Sequence, residues 1–200
     1  IYSSDHGDTM GDHGVYFKST MYEGSVGVPL ILSAPDIPAG GRAKTIVSLV
    51  DVFPTILECA GAKKNPADAE LPGKSLWAYA AGKEDPQRMA FSEYYSQGSY
   101  TAQFMLRRGK YKYVHYVGEV PQLFDLEADP DELHDLAGDS RYASVCADME
   151  KTLRGIADVD RLEAESKAAQ KILLDKHGGR DGFLKNFKPA LFSPIPDLSE

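Results

Sequence analysis

Ser4-Asp5-His6-Gly7-Asp8, followed by Gly11-Asp12-His13-Gly14, then Lys18 and Tyr22-Glu23, is the chemically densest stretch of this 200-residue chain. Ile1, Tyr2 and Ser3 ahead of it read as the last residues of a strand. A carboxylate and an imidazole at the C-terminal end of a strand stand where open α/β sheets place their ligands. Gly7, Gly11 and Gly14 let the backbone turn tightly between the charged residues.

Downstream, Val26-Gly27-Val28-Pro29-Leu30-Ile31-Leu32 reads as the next strand. Its continuous apolar run suits a strand covered on both faces, and Pro29 puts the start of hydrogen bonding at Leu30. Asp5 to Gly14 reads as a loop, and Val15 to Glu23 as a short helix or a turn. A clear helix follows around Val52, Ile56, Leu57 and Ala60, with Asp51 as its cap, Pro54 in its first turn and Gly61 at its end. Ser75 caps a second short helix, Leu76 to Ala81, closed by Gly82.

After Asp85 the pattern changes. Met89 to Tyr95, Thr101 to Arg107, Lys110 to Tyr116 and Gln122 to Asp125 are short, aromatic and β-branched, and Arg108-Gly109 reads as a tight turn. This predicts an antiparallel meander. Asp129-Pro130-Asp131-Glu132 reads as a helix start, and Tyr142 to Lys176 as mostly helical, with Glu163 and Lys167 paired on a solvated face. Phe183 to Glu200, with three prolines among Phe187, Leu191, Phe192 and Ile195, reads as an extended arm laid on a surface. A second subunit or the chain's own domain offers that surface, and the first predicts a homo-oligomer.

The net charge of −8 argues against a general nucleic-acid or membrane-surface binder. The apolar share of 42% suffices for a core, and no apolar run approaches the ~20 residues of a membrane span. Cys59 and Cys146 lack CxxC spacing and read as a pair of thiols. The chain begins inside a strand without Met, and is expected to be a C-terminal piece of a longer protein.

Among the charged groups, Asp5 is a hard ligand for Ca²⁺, Mg²⁺ or Mn²⁺, and His6 suits Mn²⁺ or Zn²⁺. Taken alone, the pair equally reads as a turn closed by an Asx hydrogen bond. Lys18 would neutralise a bound oxyanion and its leaving group, or be a solvated surface residue. His13 would donate to the same oxyanion or act as a general acid, or be structural. Asp8 and Asp12 read as solvated, and Tyr22 and Glu23 as buttresses of the loop.

The joint pattern, from Ser-Asp-His-Gly-Asp through Lys18 and Tyr22-Glu23 to Val28-Pro29-Leu30-Ile31, resembles the second half of the sulfatase family, within the alkaline-phosphatase-like superfamily. The likeness continues through Ser48-Leu49-Val50-Asp51-Val52-Phe53-Pro54-Thr55-Ile56-Leu57, Leu71-Pro72-Gly73-Lys74-Ser75-Leu76, Arg107-Arg108-Gly109-Lys110-Tyr111-Lys112-Tyr113 and Gln122-Leu123-Phe124-Asp125-Leu126 with Asp129-Pro130 and Glu132-Leu133. It covers residues 1–140 and looks most like the choline-sulfatase, arylsulfatase and phosphonate monoester hydrolase branch.

The resemblance implies an α/β fold. Residues 1–85 would be the C-terminal portion of an alkaline-phosphatase-like sandwich, residues 86–140 an antiparallel β-meander subdomain, and residues 141–200 a helical segment with its Pro-rich arm. It implies a metal-dependent hydrolase of small-molecule sulfate esters, with Asp5 and His6 as metal ligands, Lys18 on the sulfate and bridging oxygens, and His13 beside them. The metal would be Ca²⁺ by family, or Mn²⁺ by ligand chemistry. The family's nucleophile is a formylglycine made in a Cys-x-Pro-x-Arg type motif. Neither Cys59-Ala-Gly-Ala-Lys nor Cys146-Ala-Asp-Met-Glu fits it. The nucleophile and further ligands are therefore expected in an N-terminal part, and the isolated chain is expected to lack turnover. Phosphonate monoester or phosphodiester hydrolysis, and an inert structural or oligomerising fragment, are the competing expectations.

Overall fold

The computed structural model describes residues 1–96 and 98–186. The chain divides into two compact units, Ile1–Val159 and a second beginning at Asp160.

The first unit mixes helix and sheet. Strand β1 (Tyr2–Ser3) pairs antiparallel with β4 (Leu30–Ile31), and the Ser3 hydroxyl donates to the Pro29 carbonyl at 2.8 Å. Pairing begins at Leu30, as Pro29 requires. The expected cover on both faces is not found among the described residues, since Ile31 remains 59% exposed. Between these strands the chain forms a hairpin that the sequence pattern did not show. β2 (Thr9–Met10) pairs with β3 (Tyr16–Phe17), and Thr9, fully buried, donates its hydroxyl to the Phe17 carbonyl. Gly14 at φ +72° makes the reversal, and the β-favouring Tyr16 and Phe17 override the expected helix or turn.

α1 (Glu23–Val26) is a single turn, yet it braces the loop after β1. Gly7 donates its amide to the Ser25 carbonyl at 2.7 Å, and a Cβ on Gly7 would stand 2.1 Å from the Gly24 oxygen. Only glycine permits that approach.

α2 (Val52–Cys59) carries Pro54 in its first turn and ends at Gly61, φ +61°. Its buried side chain is Thr55, whereas Ile56, expected on an inward apolar stripe, is 51% exposed. Asp51 stands at the N-cap position of α2, as expected, but its side chain makes no capping hydrogen bond to that helix. Its fully buried carboxylate instead accepts from the Ser48 and Lys74 amides at 2.8 and 2.9 Å and from Arg88 at 2.5 Å. α3 (Trp77–Ala80) follows, with the Ser75 hydroxyl accepting from the Trp77 amide at 3.2 Å.

The meander is present as expected: β5 (Met89–Tyr94), β6 (Gln103–Arg108), β7 (Tyr111–Tyr116) and β8 (Gln122–Asp125) form one antiparallel sheet in that order. Arg108 pairs with Tyr111, so the turn is Gly109-Lys110, one residue later than predicted. Side chains of a strand alternate between faces, and the register sorts them. One face carries the pairs Met105–Val114 and Arg107–Lys112, the other Phe104–His115 and Leu106–Tyr113. α4 (Ala143–Ile156) packs on the second face, with Met149 and Leu153 fully buried at about 1.5–3 kcal/mol each. Tyr113 and His115 both reach Glu150 on this helix, at 3.0 and 3.1 Å. The first face receives Met21 beside Met105 and Val114.

No helix starts at Asp129. Its carboxylate accepts from the Leu133 and His134 amides, at 3.1 and 2.8 Å, and closes a turn. Glu132 at φ +56° cannot continue a helix.

The second unit holds most of α5 (Val159–Lys176) and α6 (Gly179–Asn186). Glu163 and Lys167 pair at 3.0 Å, as their spacing predicts. Phe183 to Asn186 are helical, not an extended arm, because α6 runs through them. The remainder of the expected arm, from Phe187, lies outside the described residues.

Two expectations test this packing. Gly7→Ala should lower stability by about 1–3 kcal/mol through overpacking. Gly155→Ala, in α4 with nothing within 4 Å, should raise it by about 0.4–1 kcal/mol. Urea unfolding of both variants reads the signs, and an undisturbed Gly7→Ala protein would contradict the close approach.

The Asp125 carboxyl is held below its ordinary value, first by the Lys110 ammonium at 2.6 Å and further by the Ala128 and Glu127 amides. A depressed carboxylate stabilises the fold above its unfolded pKa, and that stability is lost as pH falls through the folded one. The stability gap between wild type and Asp125→Asn should therefore be full at neutral pH and close as pH drops below the ordinary 3.8. Urea midpoints measured from about pH 7 to about pH 2 check this. A gap constant over that range would exclude the ion pair as its source.

Candidate active site

The tight turn after β1 brings three of the four sequence-predicted residues together. The Lys18 Nζ lies 2.6 Å from His6 Nε2, and Asp5 Oδ2 lies 3.5 Å from the same nitrogen. An ammonium can only donate, so Nε2 is the acceptor and the imidazole proton sits on Nδ1. Nδ1 is 2.6 Å from the Gly7 carbonyl, which takes that proton. The same turn is held by the Ser4 hydroxyl, which donates to the His6 carbonyl at 2.7 Å. His6 is therefore oriented through its second nitrogen, the arrangement common to metal-binding histidines. Asp5 is 84% exposed in its side chain and free to turn toward a ligand.

Lys18 is placed by its backbone. Ser25 donates its hydroxyl to the Lys18 carbonyl at 2.5 Å. The next residue is held by the meander: Ser19 Oγ lies 3.1 Å from the Tyr94 hydroxyl, and Gln103 donates to the Ser19 carbonyl at 3.3 Å. The single turn α1 thus ties both sides of the site, Gly7 through the Ser25 carbonyl and Lys18 through the Ser25 hydroxyl.

His13 is not joined to the other three. It stacks on Tyr22, with centroids 3.8 Å apart and planes at 4°, and among the described residues no hydrogen bond links it to Asp5, His6 or Lys18. Tyr22 is held in turn by Gln122, whose amide donates to its hydroxyl at 3.2 Å. Glu23 is the buttress its position suggested: its carboxylate meets Lys112 at 3.0 Å and Arg107 at 3.3 Å. Asp8 and Asp12 are exposed.

Asp5 and His6 suit a divalent cation as a hard carboxylate and an oriented imidazole. Two donors do not complete a coordination shell, and among the described residues no three His, Cys, Asp or Glu side chains form a metal-binding group. Cys59 is exposed at the end of α2. Cys146 lies in α4, where burial pushes its thiol pKa up, the reverse of an activated nucleophile.

Three residues of the site were missed in the sequence. Ser25 and Glu132 carry no local signal. Lys112 does, because it shares strand parity with Val114 and Tyr116, and a lysine on an inward face needs a partner.

Residues 11–158 match the family model described as N-sulphoglucosamine sulphohydrolase, C-terminal. Arylsulfatase K of Danio rerio is 37% identical over 166 residues, covering 79% of this chain and 31% of that protein. A structure in complex with its substrate D-glucosamine-2-N,6-O-disulfate superposes with a TM-score of 0.69 and 27% identity, over 78% of this chain and 33% of that one. The phosphonate monoester hydrolase of Agrobacterium radiobacter superposes with a TM-score of 0.65 and 30% identity, over 76% and 33%. This chain spans about a third of the length of the curated relatives it matches. With its strand-end Asp5-His6 pair, its antiparallel meander and this match over most of its length, the chain belongs to the N-sulphoglucosamine sulphohydrolase C-terminal family, the C-terminal region of sulfatases.

Proposed function

We propose that this chain is the C-terminal part of a metal-dependent hydrolase of sulfate monoesters. The observation that carries the reading is the convergence of Lys18, His6 and Asp5 at the end of β1. Asp5 and His6 would hold a divalent cation, Ca²⁺ or Mn²⁺, completed by ligands from outside this chain. When bound, that cation supplies Lewis-acid charge at the reacting group.

The rest falls to Lys18. His6 offers one lone pair at Nε2, which serves either Lys18 or a cation. Once His6 acts as a ligand, the Lys18 ammonium is free to donate to an oxyanion. There it would neutralise the sulfate oxygens and the charge that develops on the leaving oxygen. His13, stacked on Tyr22, borders the same loop and has its ring orientation set before any ligand arrives.

The nucleophile would come from outside this chain, as Cys59 and Cys146 are both unsuited. Phosphonate monoesters are a second reading, favoured by the likeness to the Agrobacterium radiobacter enzyme. Both substrates are tetrahedral anions that a cation and an ammonium can bind. We further propose that the whole protein forms a homo-oligomer; among the described residues no helix is long and apolar enough to cross a membrane.

In the whole polypeptide that carries this chain, Lys18→Ala should lower kcat/KM by about a hundred- to a thousand-fold, or ~3–4 kcal/mol. Assays on 4-nitrophenyl sulfate and on an aryl phosphonate monoester, each with Ca²⁺ or Mn²⁺, compare the two substrates. A loss below about threefold would return Lys18 to the solvated surface.

A further inference from the structure

We propose that Glu132, over a hundred residues beyond Lys18 in the chain, is a positioning residue for the candidate site, acting through α1. This rests on the role given to Lys18 above.

Glu132 is 3% exposed and adopts φ +56°. A buried glutamate in that conformation is costly and persists only where its surroundings hold it. Its two oxygens have separate tasks. Oε2 accepts from the Glu23 amide at 2.6 Å, at the first residue of α1. Oε1 forms an ion pair with Lys112, whose side chain is fully buried. Lys112 reaches back to the Glu23 carboxylate at 3.0 Å, so the three residues close a ring around the start of α1. Arg107, the cross-strand neighbour of Lys112, adds a second cation at 3.3 Å from Glu23.

Two residues further along the same turn, Ser25 holds the Gly7 amide and the Lys18 carbonyl. Glu132 thus sets the first residue of α1, and the third residue of α1 sets the approach of Lys18 to His6. α1 has no slack to absorb a shift. A Cβ on Gly27 would meet the Glu23 carbonyl oxygen at 2.7 Å, and one on Gly7 would meet that of Gly24 at 2.1 Å. Among the described residues, His13, Phe17 and Glu132 are the non-glycine residues with positive φ. Two follow the Asp5-His6 turn and the third braces it.

The discriminating experiment is a double-mutant cycle in the whole polypeptide, assayed with 4-nitrophenyl sulfate and Ca²⁺ or Mn²⁺. Glu132→Gln should lower kcat by about tenfold or more with KM nearly unchanged, because misplacing the ammonium weakens a contact made mainly in the transition state. In the Lys18→Ala background the same change should alter kcat by less than about twofold, since nothing remains to be positioned. Ser25→Ala, which removes one hydrogen bond, should show the same dependence on Lys18 and serves if Glu132→Gln does not fold.

Equal losses in both backgrounds would overturn the positioning role and leave the sulfatase reading standing. A near-silent Lys18→Ala would overturn both. Amide hydrogen exchange gives a measure independent of turnover. Glu132→Gln should speed exchange in residues 5–27 and leave α4 as protected as before, and unchanged exchange in residues 5–27 would refute the link.

Discussion

The ring of Glu23, Lys112 and Glu132, in which Lys112 and Glu132 are buried and Glu23 half-buried, is the constraint on which the first unit depends. It joins segments far apart in sequence: the turn after the Asp5-His6 loop, the third strand of the meander, and the loop beyond the fourth. With Arg107 included, two cations face two carboxylates, so the group is neutral as a whole. Such sets contribute little net stability over an apolar core, but removing Lys112 or Glu132, the two buried members, leaves an uncompensated buried charge at about 3–5 kcal/mol. Their value here is register. A ring of directed contacts accepts one placement of α1 against the sheet, where apolar packing alone would accept several.

The meander can serve this role because its two faces have different work. Strand parity sends Met105, Arg107, Lys112 and Val114 toward the segment that bears the site, and sends Phe104, Leu106, Tyr113 and His115 toward α4. The helix side is fastened by Met149 and Leu153 and by polar contacts to Asp148, Glu150 and Thr152. The sheet is thereby stiffened from behind, and a stiff support is what a small, partly exposed site needs to keep its geometry. A one-residue slip of β7 would exchange the faces and remove Lys112 from Glu23.

Around the site, exposure and order are combined. Asp5 is open to solvent, yet His6 and Lys18 are positioned through backbone contacts. Met10, Tyr16 and Phe17 on the neighbouring hairpin are 76%, 66% and 74% exposed. Charged groups that must meet an anion cannot be buried without losing their hydration, so they stand at an edge and their order is supplied from beneath.

Much of this was legible in the residues. Alternation and turn chemistry in 86–125 were enough for the meander, because β-hairpins are specified locally by period and by Gly109. The turn after β1 was legible in Asp5-His6-Gly7, and the proximity of Lys18 followed only by likeness to a family. The hairpin of Thr9–Met10 and Tyr16–Phe17, the isolation of His13 on Tyr22, and the task of Asp51 were not legible, since each depends on a partner brought by the fold. Glu132 is the clearest case. Its sequence context, Asp129-Pro130-Asp131, reads as a helix start, and the left-handed conformation that buries it is tolerable only with Lys112 and the Glu23 amide already in place. Local pattern settles which segments become strands and helices. Which buried charges meet is a matter of long-range contacts, and those exist only once the chain has closed on itself.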